Sequence, residues 1–226
     1  GAGLWFGARR WRRMTVSRLE AGSTIAQTSA GPVEYHETGT GEPVLVFHGT
    51  PGGYDQGIGV AKLLDASGLR IIAPSRPGYL RTPLGVGRTP EEQADAATAL
   101  LDALHVEKVS VLGVSGGGPA AIQFAFRHPD RSRRLVLWEA VTRRMSLETV
   151  NLTEGFMTTD LVEWLMLGVS KIAPRLLLPR RIAGDPQLLG RVLPVFESTF
   201  PLDLRREGIL NDVLQLSELP DYPLYE

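Results

Sequence analysis

The sequence contains no cysteine, only three lysines among its 24 cationic residues, and no histidine beyond position 128 of its 226 residues. The first absence excludes disulfide staples and thiolate metal sites, and is the composition expected of a reducing, cytoplasmic setting. The second leaves 21 arginines, with lysine only at positions 62, 108 and 171, and a coding bias accounts for it without a function. An excess of one charge is also lacking: the formal net charge is −1, so no global field gathers nucleic acid. Neither a complete signal peptide nor a run of the roughly 20 apolar residues needed to cross a bilayer is present.

What is present is the balance of one packed α/β domain: 43% hydrophobic and 22% charged residues over a length sufficient for a sizeable core. The first 14 residues, GAGLWFGARRWRRM, stand apart. Arg9, Arg10, Arg12 and Arg13 around Trp11 resemble the exit of a membrane helix, where aromatics sit at the interface and cations face the cytoplasm. On that reading residues 1–16 are a membrane tether; on the plainer one they are an Arg-rich, disordered leader.

From Ser17 onward strand-like and helix-like segments alternate, as in a sheet with crossover helices. Residues 17–28 and 31–37 are expected as strands joined at Ala30-Gly31-Pro32. The run PVLVF (43–47) reads as a strand covered on both faces, and residues 70–73 as the next. Thr89, Pro90 and Glu92 form a capping-box signature for a helix over 89–104, with Ala97, Leu100, Leu101 and Leu104 along one stripe. KVSVLGV (108–114) is a strand, an apolar helix follows, and residues 135–138 are another strand. From about Met145 to Leu219 only helices are expected, carrying Phe156, Met157, Trp164, Met166, Phe196 and Phe200. The expected division is a leader at 1–16, a core at 17–144, a helical cap at 145–220, and at 221–226 the approach to further core.

Gly113-Val114-Ser115-Gly116-Gly117 fits G-x-S-x-G with a strand before and a helix after. A nucleophilic serine must stand clear of the sheet on a sharp turn, and glycines two before and two after leave room for it. Ser115 then lies at a helix N-terminus, where free N–H groups favour developing negative charge. A dinucleotide fingerprint would need glycine at position 115, and a phosphate-cradling P-loop a Gly-Lys-Ser/Thr ending; neither is there. After PVLVF comes His48-Gly49-Thr50-Pro51-Gly52-Gly53. A tetrahedral intermediate needs two donors, so the N–H groups of Gly116 and Thr50 are the expected oxyanion hole.

The order HGTPGG, SRPGY (75–79), GVSGGGP and RHPDR (127–131) resembles the α/β-hydrolase superfamily over residues 17–226. HGTPGG is similar to the HGGPG-type loop of proline iminopeptidases. The resemblance implies a mostly parallel sheet with flanking helices and a helical cap. It also implies a Ser-His-acid triad, hydrolysis of an ester, amide or related acyl bond of an apolar small molecule, and no cofactor. Members with an aspartate nucleophile are disfavoured by Ser115.

In this fold the triad runs Ser, acid, His along the chain, yet the histidines are at 36, 48, 105 and 128 only. His48 belongs to the oxyanion loop, and the others sit in an early strand, before the nucleophile strand, and at the far end of the next helix. The expectation is therefore that the last strands lie outside this sequence, that a C-terminal segment or second chain completes the triad, and that residues 1–226 alone are inactive. Glu139, at a strand end, could be the acid or an ordinary surface charge. The alternative to an enzyme is a fold that captures a small ligand without turnover.

Overall fold

The computed structural model describes residues 2–145 and 159–222. Its centre is a six-stranded sheet of β1 (Thr24–Thr28), β2 (Gly31–Thr38), β3 (Glu42–Phe47), β4 (Leu69–Pro74), β5 (Val109–Val114) and β6 (Ser132–Trp138), in the order β1-β2-β4-β3-β5-β6. β2 is antiparallel to β1 and to β4, whereas β4, β3, β5 and β6 run parallel. Parallel neighbours need crossover connections, and helices supply them between β3 and β6: α2 (Tyr54–Leu63), α3 (Pro90–Ala103) and α4 (Gly118–Arg127).

Both faces of the central strands are covered, which is why they read as unbroken apolar runs. Leu45, Phe47 and Val111 pack with Leu100 and Leu101 of α3 and Phe124 of α4 on one side. On the other, Val46, Leu112 and Val114 pack with Val60 and Ala61 of α2. The α3 capping box forms as its sequence dictates: Glu92 N–H donates to Thr89 Oγ1 at 3.2 Å and Thr89 N–H to Glu92 Oε2 at 3.1 Å. Among the described residues β6 pairs only with β5, and Val136 on it is exposed.

The N-terminus departs from expectation. Residues 1–16 are not a disordered leader and 17–28 not one strand: α1 runs Ala2–Ala21 and β1 begins only at Thr24. The physical reason is an inward stripe at helical spacing. Ala8, Thr15 and Leu19 are buried, and Trp11 packs with Leu167 and Phe200. Arg12 fastens the helix from the side, reaching Asp203 at 2.6 and 2.8 Å and Asp160 at 3.1 Å.

Beyond β6 the described residues hold α5 (Asp160–Ile172), α6 (Arg180–Ala183), α7 (Pro186–Glu197) and α8 (Arg206–Ser217), with no strand between them. Phe156 and Met157, expected in this helical run, lie outside the described residues. Asp185 caps α7 by accepting from Gln187 N–H and Leu188 N–H at 2.9 and 3.1 Å. α7 packs on α2 through Val195, which lies against Gly59, and α5 packs on α1. α8 is laid across the chain that follows β4: Gly208 N–H donates to Gly78 O at 2.8 Å, and Leu80 N–H to Leu204 O at 2.9 Å.

Candidate active site

Ser115 closes β5 with φ +46, a left-handed conformation that a side chain with a Cβ adopts at a cost of roughly 1–2 kcal/mol. It opens a 3₁₀ turn, Ser115–Gly117, that feeds directly into α4. The glycines around it are forced by close approach. A Cβ on Gly113 would come within 2.6 Å of Ala121 Cβ on α4, and one on Gly117 would strike the Phe47 and His48 carbonyls. Ser115 O accepts from Val141 N–H at 2.9 Å, which ties the turn to the chain leaving β6.

The loop after β3 is seated against this turn. A Cβ at Gly49 would lie 3.1 Å from Ser115 Cβ, and one at Gly116 would collide with Thr50 Oγ1. The structure thus brings Ser115, Gly116 and Thr50 together. The loop is held by its own polar groups. Gly49 N–H donates to Gln56 Oε1 at 2.8 Å, Gln56 Nε2 to Pro51 O at 2.6 Å, and Arg205 Nη1 to Gly52 O at 2.5 Å.

His48 is wholly buried beneath the loop. Its Nε2 lies 2.9 Å from Arg76 N, and a backbone N–H can only donate, so Nε2 accepts and the ring proton sits on Nδ1. That proton goes to Gly49 O at 2.8 Å. Both ring nitrogens are committed. Burial, helped by the Arg76 charge, holds the His48 pKa well below the usual histidine value, so the ring is neutral at pH 7.

The other histidines are equally placed for structure. His36 Nδ1 is 2.6 Å from Gly22 O, with its ring stacked on Tyr54. His128 Nε2 meets Asp95 Oδ1 at 2.8 Å beyond α4, and His105 is exposed where the chain turns after α3. Among the described residues, which include all four histidines, Ser115 has no histidine bonded to its hydroxyl. Glu139 follows β6 with φ +50 and is exposed, with no polar partner among the described residues.

Sequence reasoning missed a second cluster, centred on Asp212 of α8. Arg76 grips its carboxylate, Nη1 to Oδ1 at 2.8 Å and Nη2 to Oδ2 at 2.5 Å, while Tyr79 Oη donates to Oδ2 at 2.6 Å and the Thr50 hydroxyl donates to Oδ2 as well. Arg76 also donates from Nε to His48 O at 2.9 Å, and its guanidinium lies 5.0 Å from the Tyr79 ring centre. Burial works to lower the Arg76 pKa, but Asp212 and Tyr79 outweigh it and hold the guanidinium above its ordinary value. Burial, with the Asp212 charge, pushes the Tyr79 phenol well above its ordinary value. SRPGY marked Arg76 and Tyr79 as a motif, but Asp212 carried no signal beyond a carboxylate on a helix.

The sequence profile of the alpha/beta hydrolase fold matches residues 42–165. The chain belongs to that family. An uncharacterized hydrolase, YcgS, of Bacillus subtilis (strain 168) is 41% identical over 113 residues, which cover 50% of this chain and 39% of the relative. A 2-hydroxymuconate semialdehyde hydrolase of Pseudomonas sp. (strain CF600) is 35% identical over 106 residues, covering 45% of this chain and 38% of the relative. The chain thus spans about two fifths of the length of these curated relatives. Among solved structures, an alpha/beta hydrolase fold protein from Nakamurella multipartita superposes with a TM-score of 0.72 at 35% identity, over 88% of this chain and 75% of that one.

Proposed function

We propose that the protein is a serine hydrolase acting on an ester, amide or related acyl bond of an apolar small molecule. Ser115 is its nucleophile, and the backbone N–H groups of Thr50 and Gly116 are its oxyanion hole. The observation that carries this is the backbone of Ser115: a strained, positive φ between a parallel strand and the N-terminus of a helix, beside a glycine-rich loop. Such strain persists only where the surroundings enforce it, and here it holds a hydroxyl out from the sheet end. The hydroxyl adds to the substrate carbonyl as its proton passes to a base, and the two N–H groups meet the oxyanion. Collapse then breaks the scissile bond, the leaving group takes the proton from the base, and water attacks the acyl-serine by the same route to release the acid and restore the hydroxyl. The names of relatives, 2-hydroxymuconate semialdehyde hydrolase and 2-hydroxy-6-oxo-2,4-heptadienoate hydrolase, extend the candidate bonds to a carbon–carbon bond beside a carbonyl. The same attack on a carbonyl serves both.

The base is not among the four histidines, whose ring nitrogens are engaged elsewhere or distant in the fold, and on this reading it comes from outside residues 1–226 or from a second chain. On this reading the described helices between Asp160 and Ser217 serve as the cap, with α8 covering the oxyanion loop; the start of the expected cap, 146–158, lies outside the described residues. The test is labelling of the native protein in extracts of its source cells with a fluorophosphonate, followed by peptide mapping. The adduct should fall on Ser115, while residues 1–226 alone should label near the level of S115A. An adduct elsewhere removes Ser115 as nucleophile. Brisk labelling of residues 1–226 removes the external base.

A further inference from the structure

The charge of this near-neutral chain is unevenly spread. Residues 2–18 and 164–184 together carry nine cations and no carboxylate, which leaves the remainder, with 15 cations against 25 carboxylates, at −10. The fold packs α1 along α5, which carries the first part of the second segment, and the chain continues from α5 into the turn that holds Arg175. Between α1 and α5 runs an open groove of about 980 Å³ whose walls include Met14 of α1, Leu165 and Ile172 of α5, and Leu176 just beyond it; Arg10 and Arg18 line it, and Lys171 is paired there with Glu197 at 2.8 Å.

The apolar side chains on this face are not spare parts of the core. The inward stripe of α1 is already filled by Ala8, Thr15 and Leu19, whereas Phe6 is 75%, Ile172 87% and Leu176 75% exposed, and Trp5 and Met14 are exposed as well. Single exposed apolar residues are ordinary, but Met14, Leu165, Ile172 and Leu176 are exposed around one groove, and Phe6 on the outward side of α1 adds to them, which marks a contact surface. Arg10 and Arg18 line the groove, and Arg9, Arg13, Arg175, Arg180 and Arg181 are exposed on the same two segments. Arg12 alone among the α1 arginines between 9 and 13 is spent on fixing the helix, through Asp160 and Asp203.

We propose that this face is a docking surface for an anionic lipid bilayer, on which α1 lies with Phe6, Met14, Ile172 and Leu176 in the headgroup boundary and the arginines on the phosphates. Aromatic and aliphatic side chains flanked by arginine are the chemistry of interfacial helices. No described helix is long and apolar enough to cross the membrane, and α1 itself holds five arginines. The charge pattern selects the occupant. With Arg12 and Lys171 held by carboxylates, a second copy presenting the same face would still set seven unpaired cations against seven among the described residues, and a nucleic acid would leave the apolar side chains without a partner. The surface stands independently of the reaction assigned to Ser115.

Co-sedimentation of the protein with vesicles of phosphatidylcholine alone, and with about a third phosphatidylglycerol, tests the proposal at two salt concentrations. Each cation near an anionic surface is worth about fivefold in partition, so R9Q/R10Q/R13Q should bind the anionic vesicles about a hundredfold more weakly. F6S/I172S should weaken binding at least tenfold with an unchanged melting curve, since both side chains face solvent. Raised salt should release the wild-type protein. Absence of binding, equal binding to neutral vesicles, or a triple variant that binds like the wild type overturns the proposal. So does self-association that the same substitutions abolish, because the face would then be a protein contact.

Discussion

Arg76 and Asp212, 136 residues apart, meet as a two-pronged ion pair at 2.8 and 2.5 Å with both side chains nearly inaccessible to water. Through Thr50 and Tyr79, which donate to the same carboxylate, the pair joins α8 to the loop that lies against Ser115. Asp212→Leu should therefore strand a buried guanidinium and destabilise the fold by about 3–5 kcal/mol in urea titration. R76M/D212L, which removes both charges, should recover most of that loss. Arg76 also donates from Nη1 to Gln93 Oε1 at 3.2 Å; a double variant as weak as the single one would mean that its hydrogen bonds to His48 O and Gln93, not the charge, are what matter.

Ser115→Gly should raise stability by about 1 kcal/mol, because glycine adopts a φ of +46 without the clash that a Cβ meets. Ser115→Ala, which keeps the Cβ, should stay within about 0.5 kcal/mol of the wild type. Both should abolish fluorophosphonate labelling of the native protein. Thermal melts of the three proteins separate strain from chemistry, and a destabilised glycine variant would show that the serine conformation is not strained.

His48 makes stability pH-dependent in a defined direction. In the unfolded chain its imidazole titrates near 6.5, whereas burial keeps the folded ring from taking the proton. The stabilisation is thus fully present above about pH 6.5 and is lost as pH falls toward the depressed folded value, at up to about 1.4 kcal/mol per pH unit. Urea midpoints between pH 7.5 and 5 should show this slope, and H48N, compared by slope and not by level, should lose it. An NMR titration in which the folded His48 ring protonates near pH 6 would contradict the assignment.

Gly113→Ala should cost about 1–3 kcal/mol, since the new Cβ would sit 2.6 Å from that of Ala121 on α4. Ala121→Gly should relieve the clash, so the two substitutions should be non-additive in a double-mutant cycle. Additivity would show that strand and helix separate freely at this crossing.

The elements whose signals are local were readable from the residues. The α3 helix carries its own cap, the central strands are apolar because both their faces are covered, and the glycines around Ser115 mark a turn that admits no Cβ. The reading failed at the N-terminus. Arginines around Trp11 read as a leader because helical spacing of Ala8, Trp11, Thr15 and Leu19 is inconspicuous when half of the stripe is small or polar. Only docking against α5 and the pull of Asp160 and Asp203 on Arg12 turn that segment into a helix of the fold.

The sequence by itself determined the position of the serine, the loop that faces it, and the shortage of histidine downstream, because each rests on residue type and short spacing. Tertiary structure decided what those residues touch. It committed both nitrogens of His48 to backbone groups and brought Asp212 across 162 residues to Thr50. It also laid α1 against α5, with exposed apolar side chains and arginines along the groove between them. A buried charge is tolerable only beside its partner, and an exposed patch is defined only by which helices lie together. Neither can be read from spacing along the chain, since both depend on contacts between segments more than a hundred residues apart.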